Sequence, residues 1–538
     1  MRFLCGLGVG CLVVAIAVGG GGCKSGGSPK RSTETDSGAS GGASGDALTT
    51  VDTPMAGVDV AVGPPVMAGD SVLMHHKNLN RDGVYVQPAL THAAAAQLKL
   101  DPTFTPTFTG AVYAQPLFVD GLGVGKDLVI VATESDVIYA FDAASGAQVW
   151  MTPLGTPVPV AKMPCGNIAL YGVTGTPVID FASRTLFVDA MVTPDDGTTK
   201  QHKVFALSID DGSMKSGWPV DIAATAKSGA TTFEAAPQSQ RGALAIVNGT
   251  LYLPFGGLYG DCGNYHGWLV AIPIADPTQV QAWATTARAG GSWGPSGVAS
   301  DGARVFITTG NTTGTTTWGG GEAIVSFPAT AAVPMAPSYW APKNWHDLDN
   351  ADLDLGGTAP VIFDLPGSTP SHLAMAFGKD GNVYLEDATN LGGVNDAVAT
   401  AHATSNEIIT AAVIYTTTTA TYAAFKGNGA MCTSGSGSLT TVKIVPGGPP
   451  TIMGSWCTGL GGFGSPIVTT TDGHADPIVW VVGASGNGLL QGFDGDTGAV
   501  VYNGGANKIV NARVYNAPIA AKGRIFVATD NAVVAFTP

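Results

Sequence analysis

After residue 110 the chain repeats one pattern: a short apolar run, a longer apolar run, and a third that alternates apolar with small or polar residues. Its first pass reads Gln115-Pro116-Leu117-Phe118-Val119, DLVIVATE, DVIYAFD, the turn ASGAQ, and Val149-Trp150. Runs this short, alternating and bounded by Gly, Asp and Ser, predict β-strands joined by tight turns. The pattern returns as TPVID, TLFVDAMV, KVFALSID and Trp218, and as GALAIV, TLYLPFG, WLVAIPI and Trp283. Next come GPSGVA, RVFITTG, EAIVSFP, and then APVIF, HLAMAFG, GNVYLED. The last three passes are AAVIY, TYAAFKG, LTTVKIV and Trp456; SPIVT, PIVWVVG and GLLQGFDGDTGAVVY; and APIAA, RIFVATD, AVVAF. Only residues 92–100 carry the pattern of a short helix.

First strands begin near residues 116, 177, 242, 295, 360, 412, 466 and 518. Eight units of up to four strands, arranged in a ring, predict an all-β fold, an eight-bladed β-propeller. The final unit has only three strands before Pro538. Residues 103–109, TFTPTFT, are expected to supply the fourth and so join the two ends of the chain. Closing the ring in this way hides most strand edges.

Composition agrees with many strands and turns. Gly numbers 75 and Pro 34, while only 12% of residues are charged, which excludes a coiled coil or a charged helical bundle. The net charge of −15 leaves no basic footprint for nucleic acid. A monomer is expected.

The first residues read as an address. Arg2 precedes an apolar run from Phe3 to Val18, too short for a membrane span and suited to a signal peptide over residues 1–22. Gly19 to Gly22 then lead to Cys23, a position resembling a bacterial lipoprotein box, although Gly20 stands where that pattern has Leu. Lipidation at Cys23 would tie the chain to a membrane; cleavage among the small residues without lipidation is the other reading. Residues 23–66 are Gly/Ser-rich and predict a flexible tether, leaving 67–538 for the propeller. Cys165, Cys262, Cys432 and Cys457 remain beyond the leader and allow three pairings in an oxidising compartment. Cys432 with Cys457 is favoured because both fall in one unit, which leaves Cys165 with Cys262.

The phrases VIYAFDAASGAQVW and GLLQGFDGDTGAVVY resemble the repeat of pyrroloquinoline-quinone (PQQ) enzymes. VYAQPLFV, CGNIALYGVTGTPVID, QRGALAIVNGTLYLPFGG, YHGWLVAI and DLDLGGTAPVI resemble secreted bacterial proteins with quinoprotein-like propellers. The likeness spans residues 71–538 and implies the quinoprotein alcohol dehydrogenase-like propeller, with Trp150, Trp218, Trp283 and Trp456 in the place where that family packs one blade on the next. PQQ alcohol dehydrogenases also carry adjacent cysteines over the quinone and, in heme-bearing types, Cys-x-x-Cys-His; this chain has neither. PQQ is therefore not the expected cofactor.

Two groups of residues are candidates for chemistry. Asp347, Asp349, Asn350, Asp352 and Asp354 in HDLDNADLDLGG offer oxygens on a loop, as calcium ligation needs, but without EF-hand spacing. The alternative is a solvated loop whose carboxylates cap turns. At the starts of the first strands, Gln115, Thr176, Gln240, Arg241, Trp293, Thr358, Ser465 and Asn516 would ring the channel mouth and hold a small polar or anionic ligand, or else bond neighbouring blades. Lys379, in a Lys-Asp-Gly turn, is expected to be exposed, and the histidines show no metal-ligand spacing. The reading reached is an exported, lipid-anchored propeller of the cell envelope, a non-catalytic binding or assembly platform for a protein or carbohydrate partner. A PQQ-dependent oxidoreductase with a divergent cofactor site is the alternative.

Overall fold

A computed structural model describes residues 69–538 except 123–124, 331–332, 334–336 and 506. The leader, Cys23 and the tether lie outside the described residues. Eight antiparallel sheets follow one another along the chain, and each corresponds to one predicted unit. Blade 1 is Leu117–Val119, Leu128–Ala132, Val137–Asp142 and Gln148–Pro153, paired in that order. The first strands of blades 2 to 8 begin at Val178, Ala245, Ala299, Val361, Val413, Ile467 and Ile519. In blade 4 the outer strand Ser338–Pro342 is covered by the parallel strand Gly393–Asn395. Among the described residues no helix is long and apolar enough to cross a membrane.

The chain ends do meet in blade 8, but a few residues earlier than expected. Lys99–Leu100 pairs antiparallel with Ala532–Thr537, Leu100 facing Phe536. Within 103–109 only Thr107 and Phe108 touch that strand, through a bridge to Ala532 and a bond to the Asn531 carbonyl. Pro102 and Pro106 cannot donate to a ladder, so the segment between them leaves it. The helix predicted over 92–100 is one turn, His92–Ala95, because Lys99 and Leu100 are taken by this closing strand.

Two of the blade junctions dock through tryptophan on glycine. Trp150 of blade 1 donates its indole N–H to the Ile209 carbonyl of blade 2 at 2.9 Å. Trp456 of blade 6 does the same to the Gly495 carbonyl of blade 7 at 2.9 Å. Each indole lies against a turn glycine of the next blade, Gly212 (φ +72) or Gly498 (φ +74), where a Cβ would come within 2.7 and 2.6 Å of the ring. Positive φ and the indole together exclude any other residue there. The equivalent turn of blade 1 has Gly146, which takes Thr105 and Pro106 of the N-terminal segment instead. Asp142 and Asp494 open these turns by accepting two backbone N–H groups each.

Segment 70–87, which the strand pattern did not distinguish, runs along the axis and bonds the inner strands. Carbonyls of Leu73, Leu79, Asn80, Asp82 and Gly83 accept from Ile179, Ser300, Ile362, Ile414 and Val468, in blades 2, 4, 5, 6 and 7. Val72 exchanges both backbone bonds with Phe118 of blade 1, and Val84–Val86 forms a parallel fifth strand on blade 7. Gln87 and Asp70 side chains accept from Gly523 and Lys522 of blade 8. Blade 3 is reached by the fully buried Arg81, which donates to the carbonyls of Leu244 (2.9 Å), Val298 of blade 4 (2.8 Å) and His75 (2.6 Å).

Arg81→Ala strips three buried carbonyls of their donor and is expected to cost about 3–5 kcal/mol, read by urea denaturation. His75 and His76 stack at 4.3 Å beside Arg81. Burial pushes the His76 imidazole down to about 3, aided by the Arg81 charge, and its Nδ1 bonds the Arg81 carbonyl. A His lowered in the fold contributes stability that is complete above pH 6.5 and is lost as pH falls toward 3, about 5 kcal/mol over that window. Glu134, raised to about 7 by burial, works in the opposite direction. The difference between wild type and His76→Asn therefore isolates the histidine: the variant should lose less stability between pH 6 and 3.

Candidate functional site

The first strand of each blade starts, and the second ends, on one face of the ring. A cavity of about 600 Å³ opens there, lined from blades 3, 4, 5, 6 and 8. Segments ending second strands supply Gly257 to Asp261, Asn311 and Lys379. Segments leading into first strands supply Arg241, Trp293, Ile409 and Tyr515. Of the eight residues expected at the mouth, Arg241 and Trp293 line the cavity.

The other six bond within the ring, Thr358 by donating its hydroxyl to the Phe377 carbonyl at 3.1 Å. The Gln115 side chain accepts from His76 N and donates to the Met74 carbonyl, both in the axial segment. Gln240 donates to Gly242, and Asn516 to the Ala528 carbonyl at 3.1 Å. Neighbouring blades are joined from the same positions: Gln115 N donates to Thr176 Oγ1 (2.9 Å), and Ser465 Oγ accepts from Ala411 N (3.1 Å) and donates to the Tyr515 carbonyl (2.9 Å).

The aspartate run, expected as a loop, is a helix, Trp345–Ala351, ended by Asp352 in the left-handed conformation (φ 57). Asp347 is exposed on it. Asn350 is exposed too, its amide against His346 Nδ1 at 3.1 Å, and the other three reach the cavity, each holding a protein donor. Asp349 accepts from Thr312 N and Oγ1, both at 2.7 Å, Asp352 from Asn311 Nδ2 at 2.5 Å, and Asp354 from Asn311 N at 2.7 Å. Gly310 permits that last approach, since a Cβ there would overlap the Asp354 carboxylate. Among the described residues no group of three or more His, Cys, Asp or Glu side chains is arranged to hold a metal ion.

Lys379 is not the exposed turn residue expected. Its side chain is 13% exposed, its ammonium pairs with Asp354 and with Asp352 (3.3 Å), and it lies 5.5 Å from the Trp293 ring centroid. Burial alone would lower its pKa; the two aspartates outweigh burial and hold it charged. Behind it the buried Glu322 accepts from Leu355 N at 2.6 Å, and burial, with Asp354 nearby, raises its carboxyl well above the usual range. Burial also raises Asp349, against the pull of Thr312. Tyr265 donates to Asp261 at 2.6 Å, and burial followed by that bond raises its hydroxyl. Asn311, Lys379, Asp261, Glu407 and Tyr515 were missed as cavity residues in the sequence. The signal was there for Asn311 and Lys379: each follows the glycine that ends a repeated second strand, in RVFITTG and HLAMAFG.

Both expected disulfides are present, Cys165–Cys262 and Cys432–Cys457. The first ties the cavity-lining segment around Tyr259 to the connection between blades 1 and 2. Its 97-residue separation against 25 for the second makes it the stronger constraint, by about 1 kcal/mol of loop-closure entropy. Replacing Cys165 and Cys262 by Ser should destabilise the fold more than the same change at Cys432 and Cys457. It should also raise amide hydrogen exchange in residues 258–263, whereas the second pair should leave them unchanged.

A family model described as outer membrane protein assembly factor BamB matches residues 109–276, under a third of the chain. No curated protein matches. Quinohemoprotein alcohol dehydrogenase ADHIIG from Pseudomonas putida HK5 superposes with a TM-score of 0.57 at 13% identity, over 87% of this chain and 80% of that one. The quinohemoprotein alcohol dehydrogenase of Comamonas testosteroni gives 0.57 at 12% over the same shares. A europium-containing methanol dehydrogenase gives 0.55 at 14%, over 86% of this chain and 90% of that one. The chain thus carries PQQ-type propeller repeats, and at these identities the likeness concerns the fold alone.

Proposed function

We propose that this propeller of PQQ-type repeats is an exported, lipid-anchored, non-catalytic binding platform of the cell envelope, acting as a monomer and engaging its partner at the channel mouth. One observation carries the reading: the ionisable groups of this cavity are mostly satisfied by protein partners rather than left poised for chemistry. Lys379 is held between Asp354 and Asp352, Asp349 is held by Thr312, and Asp261 by Tyr265. The two disulfides are consistent with export. The family model's description, an assembly factor, points the same way.

An oxidoreductase that uses PQQ has the fold likeness and the Trp293 indole in its favour. The residues present do not suit that group. PQQ is a planar tricarboxylate, whereas the cavity sets Asp261, Asp349, Asp352, Asp354 and Glu407 against only Arg241 and Lys379. Lys379 also covers the indole on which a planar ring would stack.

Purified protein incubated with PQQ and calcium should retain no chromophore and reduce no dye with alcohols or sugars; turnover would replace this reading with the enzymatic one. For the anchor, Cys23→Ala should move the protein from the membrane pellet to the soluble envelope fraction. Retention in the pellet would remove the lipid from the proposal.

A further inference from the structure

Resting on the reading of the cavity as a binding site, we infer that it takes a neutral, polyhydroxylated ligand: the sugar units of a glycan. Three features of the lining lead there.

The first is its charge. Five carboxylates against two cations repel an anion. A cation fares little better, because protein cations already occupy the aromatic faces that attract an ammonium group. Arg241 lies 5.4 Å from the Tyr515 ring, Lys379 5.5 Å from Trp293, and Arg288 5.7 Å from Tyr265. Four of the five carboxylates already accept from Thr312, Asn311, Lys379 or Tyr265.

The second is what remains available. Arg241 and Glu407 line the cavity, and neither is ion-paired within the described chain. Their charges are opposite, so together they give no preference for an ion of either sign. Arg241 offers only donors and Glu407 only acceptors. A sugar hydroxyl donates and accepts at once, so vicinal hydroxyls can serve both without bringing a net charge to be neutralised.

The third is shape. The four rings Tyr259, Tyr265, Trp293 and Tyr515 stand among these polar groups. Tyr259 is 67% exposed at the rim and free to pack on the C–H face of a sugar. A volume of about 600 Å³ lies within the range of small-ligand pockets and admits more than one pyranose ring.

The test uses trisaccharides that differ in charge: neutral tri-N-acetylchitotriose and maltotriose, cationic chitotriose, and anionic trigalacturonate. Binding is followed by calorimetry and by the fluorescence difference between wild type and Trp293→Phe. One of the neutral sugars should bind at least tenfold more tightly than either charged one. Arg241→Ala and Glu407→Ala should each weaken it about tenfold with an unchanged melting temperature. If a charged trisaccharide binds more tightly and Arg241→Ala abolishes it, the site stands and the ligand class is wrong. If no sugar binds, the inference falls. The platform reading is then decided separately by a photo-cross-linking residue at position 259 in intact cells: a cross-linked partner keeps it, and no cross-link removes it too.

Discussion

A ring of blades leaves eight inner strand edges facing a common axis, each with backbone groups that no neighbouring blade can reach. The rest of this structure depends on how those groups are satisfied. Segment 70–87 passes from blade to blade, lending one carbonyl at a time to blades 2, 4, 5, 6 and 7. Where it does not reach, Arg81 extends a guanidinium to Leu244 and Val298. A buried arginine with no carboxylate beside it is expensive, and three carbonyl acceptors are what make it tolerable. Burial lowers its pKa to about 9, so its charge persists at neutral pH. The two neighbouring imidazoles remain neutral for the same reason.

The circumference is organised differently. At two junctions the contact is an indole from one blade on a glycine turn of the next, Trp150 with Gly212 and Trp456 with Gly498. Blade 8 has no such indole to give, because its outer strand comes from the other end of the chain. Pro106 fills the place at Gly146. Closure is thus made twice, by the Lys99–Leu100 pairing in blade 8 and by Pro106 on blade 1.

These two regions explain what the sequence discloses. The blades are legible because strand alternation, the Asp-to-Gly turn and the Trp each have a local cause, and each recurs. The axial segment is not legible, because it meets the blades by single carbonyls at five of them and by side chains or a paired bond at the others, which imposes no periodicity on 70–87. The closing strand was placed a few residues late because TFTPTFT has the composition of a strand while its proline removes a donor. The aspartate run misled in another way: Trp345 and Leu348, three residues apart and both buried, favour a helix there, which the density of carboxylates obscures. Arg241 and Trp293 were found because their position follows from the ring. Gln115, Gln240 and Asn516 share that position but bond within the ring, Gln115 through both ends of its amide and Gln240 and Asn516 through the nitrogen alone.

The cavity inherits its character from this division. First strands must start, and second strands must end, on the same face, so their connecting residues converge there whatever their chemistry. Convergence concentrates carboxylates, and a protein of net charge −15 has few cations to spare for them. Lys379, Asn311 and Thr312 neutralise or bond most of that charge from within. The disulfide Cys165–Cys262 holds the wall at Tyr259 in place without adding charge. What survives at the surface of the cavity is one unpaired cation, one unpaired anion and several rings. On the reading proposed above, such a lining would discriminate by hydrogen-bond geometry and by contact with the exposed Tyr259 ring more than by charge.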